Sequence, residues 1–110
     1  MDAIATTPDP PYFAVIFTSQ RHAVPGDGYD DAAARMIDLA QAQPGFLGVE
    51  SAHEELGLTI SYWTDLDAIA GWKAQADHVQ AQAEGRARWY EQYSLRIALV
   101  EREYGFRRGG

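Results

Sequence analysis

Phe46-Leu47-Gly48-Val49-Glu50-Ser51-Ala52-His53, then Glu54-Glu55-Leu56-Gly57, then Leu58-Thr59-Ile60-Ser61-Tyr62-Trp63 is the stretch on which the fold turns. The first run alternates loosely, with Leu47, Val49 and Ser51 opposite Phe46, Gly48 and Glu50. The second run alternates more strictly, and the four residues between them have hairpin-turn chemistry. Two strands meeting directly in mid-chain break any simple strand–helix alternation. What lies on either side then decides the architecture.

Upstream, Tyr12-Phe13-Ala14-Val15-Ile16-Phe17-Thr18-Ser19 is rich in β-branched and aromatic residues. Its near-continuous apolarity predicts a central strand buried on both faces. Pro25-Gly26-Asp27-Gly28 is a turn, and Asp27 or Asp30 is placed to cap a helix from about Tyr29 to Gln43. Tyr29, Ala32, Ala33, Met36, Ile37 and Ala40 keep helical spacing along it, and Pro44-Gly45 stops it. Downstream, Thr64 or Asp65 caps a second helix carrying Leu66, Ile69, Ala70, Trp72 and Ala76, with helical character to Gln82. Gly85 ends that run, a further turn holds Arg88-Trp89-Tyr90, and Tyr93 to Tyr104 reads as a long last strand.

The order β-α-β-β-α-β predicts an α+β, ferredoxin-like domain. Its four-stranded antiparallel sheet carries both helices on one face. Residues 12–104 form that domain, residues 1–11 a stiff Pro-rich leader that stands clear of the fold, and residues 105–110 a tail. The last strand is apolar on both faces, with Tyr93, Leu95, Ile97 and Leu99 on one and Ala98 and Val100 on the other. One helix layer cannot cover both, so a second copy laid sheet-to-sheet, as a homodimer, is expected.

Composition narrows the function. The 110 residues carry a formal net charge of −7, a field that repels phosphate backbones and excludes nucleic acid as a partner. The absence of cysteine removes disulfides, thiolate catalysis and zinc–thiolate sites. No apolar run reaches the roughly 20 residues of a membrane span. An acidic N-terminus without an apolar segment is no signal peptide, so the expected location is cytoplasmic. Nothing forms a nucleophile elbow, a phosphate loop or a dinucleotide fingerprint.

Three tryptophans with neighbouring tyrosines, at Tyr62-Trp63, Trp72 and Trp89-Tyr90, fit core packing or an aromatic wall for a planar ligand between the second helix and the sheet. His78 follows Trp72 on the same helix and is placed to flank one cleft with it. His22 and His53 fall at turn or strand ends, and the three histidines lack metal-ligand spacing, so no metal is expected. Arg96 falls in a strand that reads as buried. It calls either for an ion pair with Glu50 or another carboxylate in the dimer interface, or for an anion- or oxyanion-binding role.

Together, the Pro25-Gly26 turn, Pro44-Gly45-Phe46-Leu47-Gly48, Ser61-Tyr62-Trp63 and Ala68-Ile69-Ala70-Gly71-Trp72-Lys73 running on to His78 resemble the antibiotic biosynthesis monooxygenase family over residues 12–104. The resemblance implies a dimeric α+β barrel with one pocket per subunit. Some members of that family oxidise aromatic substrates with dioxygen, using neither metal nor flavin. Others degrade haem with a strand polar residue, a helix tryptophan and an axial histidine. Here Trp72 matches the tryptophan, but Gln82 stands where the axial ligand would be and Ser19 where an asparagine would be. Haem binding or degradation is therefore disfavoured. For cofactor-independent oxygenation of a small phenolic or quinol-type aromatic, the resemblance points to four catalytic positions. Trp72 would orient the substrate, His78 would act as base or proton shuttle, and Arg96 or Tyr93 would stabilise an enolate or peroxide anion. Trp63, Trp89 and Ser19 are the expected substrate contacts. A non-catalytic dimeric module binding a hydrophobic metabolite is the alternative.

Overall fold

A computed structural model describes residues 3–82 and 84–109. The strands are β1 (Tyr12–Arg21), β2 (Phe46–His53), β3 (Gly57–Trp63) and β4 (Tyr90–Val100). The helices are α1 (Tyr29–Gln41), α2 (Leu66–Gln82) and the single turn and a half of α3 (Gly85–Trp89). The strands form one antiparallel sheet in the order β2-β3-β1-β4, with β1 inside as its apolarity requires. Helices α1 and α2 pack on the same face. Between them and the sheet lies a core of Val15, Ala40, Trp63 and Ile69, extended by Phe13, Phe46, Ala68, Trp72 and Leu95.

Only the second helix start follows the expected capping, for Gly28 rather than Asp27 or Asp30 holds the N-cap position of α1, and that position supplies no side-chain cap. Asp27 Oδ1 accepts the Tyr29 N–H at 2.9 Å, and Asp65 Oδ1 accepts the Ala68 N–H at 2.8 Å. These backbone donors hold both carboxyl groups below their ordinary range, with Arg21 adding to the effect at Asp27. After α1, Gly45 turns the chain at φ 90°, and its carbonyl accepts the Thr64 N–H at 2.8 Å. That bond ties the start of β2 to the threshold of α2.

The structure departs from the sequence reading in three places. Strand β4 begins at Tyr90, directly from α3, and ends at Val100 rather than Tyr104. Its last partner is Tyr12, and the preceding Pro10-Pro11 has no N–H with which to continue the ladder. The leader does not stand clear: the Ala5 N–H donates to Glu50 Oε2 at 2.9 Å, and Thr7 Oγ1 donates to the Tyr12 hydroxyl at 3.0 Å. Met1, Asp2 and Gly110 of the expected leader and tail lie outside the described residues.

The third departure is Arg96. Strand alternation places it on the sheet face away from the helices, and as an edge-strand residue it is exposed. Arg96 lies opposite Ile16, Ile16 opposite Ile60, and Ile60 opposite Glu50. Arg96 and Glu50 thus end one row three strand spacings long, about 14 Å, and cannot pair within a chain. Glu50 instead accepts the Tyr62 hydroxyl at 2.6 Å; burial first, and then this bond, push the Tyr62 phenol well above its ordinary range.

Candidate functional site

Helices α1 and α2 splay apart over the sheet and leave a slot of about 140 Å³. Helix α1 contributes Tyr29, Ala33, Met36, Ile37 and Ala40, one stripe at helical spacing. Helix α2 contributes Trp72, Lys73, Ala76, Asp77 and Gln80. The floor is the inward set of each strand: Val15 and Phe17, Phe46 and Val49, Thr59 and Ser61, and Tyr90, Tyr93 and Leu95.

The slot has two aromatic ends. At one, the Trp72 ring lines the wall and lies 5.7 Å from Trp63, which in turn meets Phe46 edge-on at 5.4 Å. Trp72 is held by its indole N–H, which donates to the Met36 carbonyl at 3.1 Å and so fixes α2 against α1. Trp63 is fully buried and donates to Ser61 Oγ at 2.9 Å. At the other end, Phe17, Tyr90 and Tyr93 form a cluster with centroids 5.2–5.7 Å apart, and Tyr29 stands edge-on to Tyr90 at 5.9 Å.

That second end is fastened from behind. Arg21 donates to Asp27 Oδ2 at 3.0 Å and to the Trp89 carbonyl at 3.1 Å, and its guanidinium lies 3.5 Å over the Tyr29 ring. The Trp89 indole donates to the Asp27 carbonyl at 2.8 Å. Burial, then the neighbouring Tyr29 hydroxyl, raises the Tyr90 phenol far above its usual range, so it remains a protonated donor.

Polar groups in the wall are few. Lys73 Nζ donates to Asp77 Oδ2 at 2.7 Å; both side chains are more than two-fifths exposed, which puts them at the rim. Deeper in, Gln80 is only 9% exposed, and its Oε1 has no hydrogen-bond partner.

Of the residues singled out in the sequence, the slot gathers Trp72 and Tyr93. Trp63 and Trp89 stand behind its two ends as buttresses rather than in its wall. Ser19 is buried beside Gly57, outside the lining. His78 is exposed and corrects the expectation of a shared cleft. It lies two residues from both Ala76 and Gln80, about 160° around α2 from the wall they form. Arg96 is on the opposite sheet face.

Sequence reasoning missed Tyr29, Asp77 and Gln80. Only the last left a readable signal, since Trp72, Ala76 and Gln80 fall at i, i+4 and i+8 on one helix face. Among the described residues no histidine lines the slot, and a porphyrin is several times too large for it, so the residues do not fit a haem. Among the described residues, no group of three or more His, Asp or Glu side chains is placed to hold a metal ion. Among the same residues, no helix is long and apolar enough to cross a membrane.

The four-stranded antiparallel sheet with its helices is a fold shared with antibiotic biosynthesis monooxygenase structures. A substituted form of SnoaB, a cofactor-independent oxygenase from Streptomyces nogalater, superposes with a TM-score of 0.67 at 20% identity, over 84% of this chain and 95% of that one. A structure from Chloroflexus aurantiacus J-10-fl, assigned by its description to antibiotic biosynthesis monooxygenases, matches at 0.57 and 15% identity, over 86% and 97%. No protein-family profile matches the chain. In sequence, it is 48% identical over 105 residues to the uncharacterized protein YqjZ of Bacillus subtilis (strain 168), covering 94% of this chain and 91% of that protein. The chain belongs to the YqjZ family.

Proposed function

We propose that this chain is a cofactor-independent oxygenase of a small phenolic or quinol-type aromatic, bound in the slot between α1, α2 and the sheet. The observation that carries the reading is the slot's size and lining. A dry cavity of about 150 Å³ accommodates benzene, so about 140 Å³ suits one aromatic ring. Aromatic faces at both ends and methyl-bearing walls between them suit a flat guest. The likeness in fold to a cofactor-independent oxygenase supports the choice of chemistry.

The reaction needs little from the protein beyond orientation, a proton acceptor and exclusion of water. A phenolate passes one electron to dioxygen, and the radical pair joins at a ring carbon para to the oxygen. The resulting hydroperoxide loses water to leave a quinone. One phenol and one dioxygen give one quinone and one water. In the slot, Trp72 and the Phe17–Tyr93 cluster hold the ring between them. Asp77, the one carboxylate in the wall, receives the phenolic proton at the rim, and Lys73 beside it balances developing negative charge. These two take the roles first given to His78 and Arg96, which point elsewhere.

A second copy belongs to this reading. The helix-free sheet face presents Ile16, Ile60 and Leu58, and the chain beyond β4 carries Tyr104 and Phe106 at 90% and 86% exposure. The radius of gyration is 14.7 Å, against about 13 Å for a compact chain of this length. A homodimer packed sheet-to-sheet covers the face and gives the projecting aromatics a surface to meet.

The test is dioxygen uptake with single-ring phenols and hydroquinones. Uptake matched one-to-one by quinone, and lowered by Trp72→Ala, is the expected result. Ring binding without uptake would favour the second reading, a binding module without chemistry, which the lack of histidine or arginine in the wall supports.

A further inference from the structure

Among the described residues, Arg96 and Glu50 are charges without a counter-ion in the single chain. Both stand on the helix-free face of the sheet, at the two ends of the row Arg96, Ile16, Ile60, Glu50. Arg96 is exposed on the edge strand. Glu50 is partly buried, and its oxygens accept from two neutral donors, the Tyr62 hydroxyl at 2.6 Å and the Ala5 N–H at 2.9 Å. Each carboxylate oxygen keeps a second acceptor position. The row therefore reads positive, apolar, apolar, negative. Turned end for end, it is complementary to itself.

We propose that a second copy packs on this face with the two-fold axis running along the strands, so that Arg96 of each copy pairs with the partner's Glu50. The inference rests on the sheet-to-sheet pairing of two copies, and adds its axis and the contacts that choose it. A two-fold relating two stacked faces lies between them, and its limiting directions are along the strands or across them. Centred on the row and along the strands, it carries each end onto the opposite end. Two Arg96–Glu50 contacts then flank the packed isoleucines. Across the strands, it lays Arg96 on Arg96 and Glu50 on Glu50, and like charges meeting in an interface are strongly unfavourable. Stacked sheets stand about 10 Å apart, a gap that a guanidinium and a carboxylate reaching toward each other can bridge. Each copy has a formal charge of −7, so association begins against repulsion and opposite-charge contacts weigh more.

The chain has no cysteine, so introduced thiols report the axis directly. Full-length Arg96→Cys and Glu50→Cys chains, mixed and equilibrated, should be joined into a dimer by a short bismaleimide. The mixed pair brings the two thiols together and keeps one native Arg96–Glu50 contact. Neither chain alone should be joined, because like positions then stand about 14 Å apart along the row. In sedimentation, Arg96→Glu should raise the dimer dissociation constant by on the order of tenfold or more. Joining of Arg96→Cys chains on their own overturns the axis while leaving the pairing in place. So does a wild-type dimer whose strength Arg96→Glu leaves unchanged. A wild-type chain that stays monomeric overturns both the axis and the pairing.

Discussion

Replacing Gly45 with alanine tests how firmly one end of the slot is set. Gly45 has φ 90°, where an L-residue is strained by about 1–2 kcal/mol. The added methyl would lie 2.6 Å from Thr64 Oγ1 and 2.8 Å from the Ala68 Cβ. Carbon contacts prefer about 3.5–4.0 Å, so the neighbours must retreat by roughly 1 Å. They have little room, because the Thr64 N–H is bonded to the Gly45 carbonyl and Ala68 is bonded to Asp65. Overpacking of this kind costs about 1–3 kcal/mol, so the total should be about 2–5 kcal/mol. Urea unfolding should show it as a midpoint lower by about 1 M or more, with little change in slope. Because Phe46 follows Gly45 in the slot wall, ring binding should weaken too. A loss under about 1 kcal/mol would mean that the turn is not pressed against α2, and the account of this corner would be wrong.

His78→Ala should leave dioxygen uptake within about twofold of wild type, whereas Asp77→Asn should lower it by on the order of 10²-fold; the reverse ranking in an oxygen electrode would restore His78 to the site. Asp27 and Asp65 have folded-state pKa values below the ordinary 3.8, so their stabilisation is present above that value and lost as pH falls through the lower folded values. Thermal unfolding scanned downward from about pH 5 should show the loss, and Asp65→Asn should flatten it; an unchanged profile would remove these carboxylate bonds from the account. Sedimentation at micromolar concentration should report two copies, and Ile60→Glu, on the helix-free face, should shift the mass to one. A well-folded wild-type monomer would refute the proposed pairing.

Much of the fold could be read from the chain because its signals are local. The cap at Asp65, the stop at Pro44-Gly45 and the alternation in Leu58–Trp63 each depend on a few adjacent residues. Arg96 was misplaced for a different reason. Alternation says which residues share a face, but not which face the helices cover or that β4 is an edge. His78 and Trp72 are about 120° apart around α2, and that angle is too wide for the two to flank one cleft here. The role of Tyr29 depends on Arg21, Asp27 and Trp89 converging from three segments, and no window of sequence contains that knot.

The placement of the three indoles gives the molecule its own optical gauge. Trp63 and Trp89 are sealed from solvent, while Trp72 alone forms part of the slot surface. Emission from the sealed pair should be steady and blue-shifted, a fixed background against which Trp72 reports whatever lies beside it. An electron-poor quinone touching that ring should quench its light, whereas a phenol should alter it only slightly. Turnover could then be followed by fluorescence in the unlabelled protein, one ring at a time.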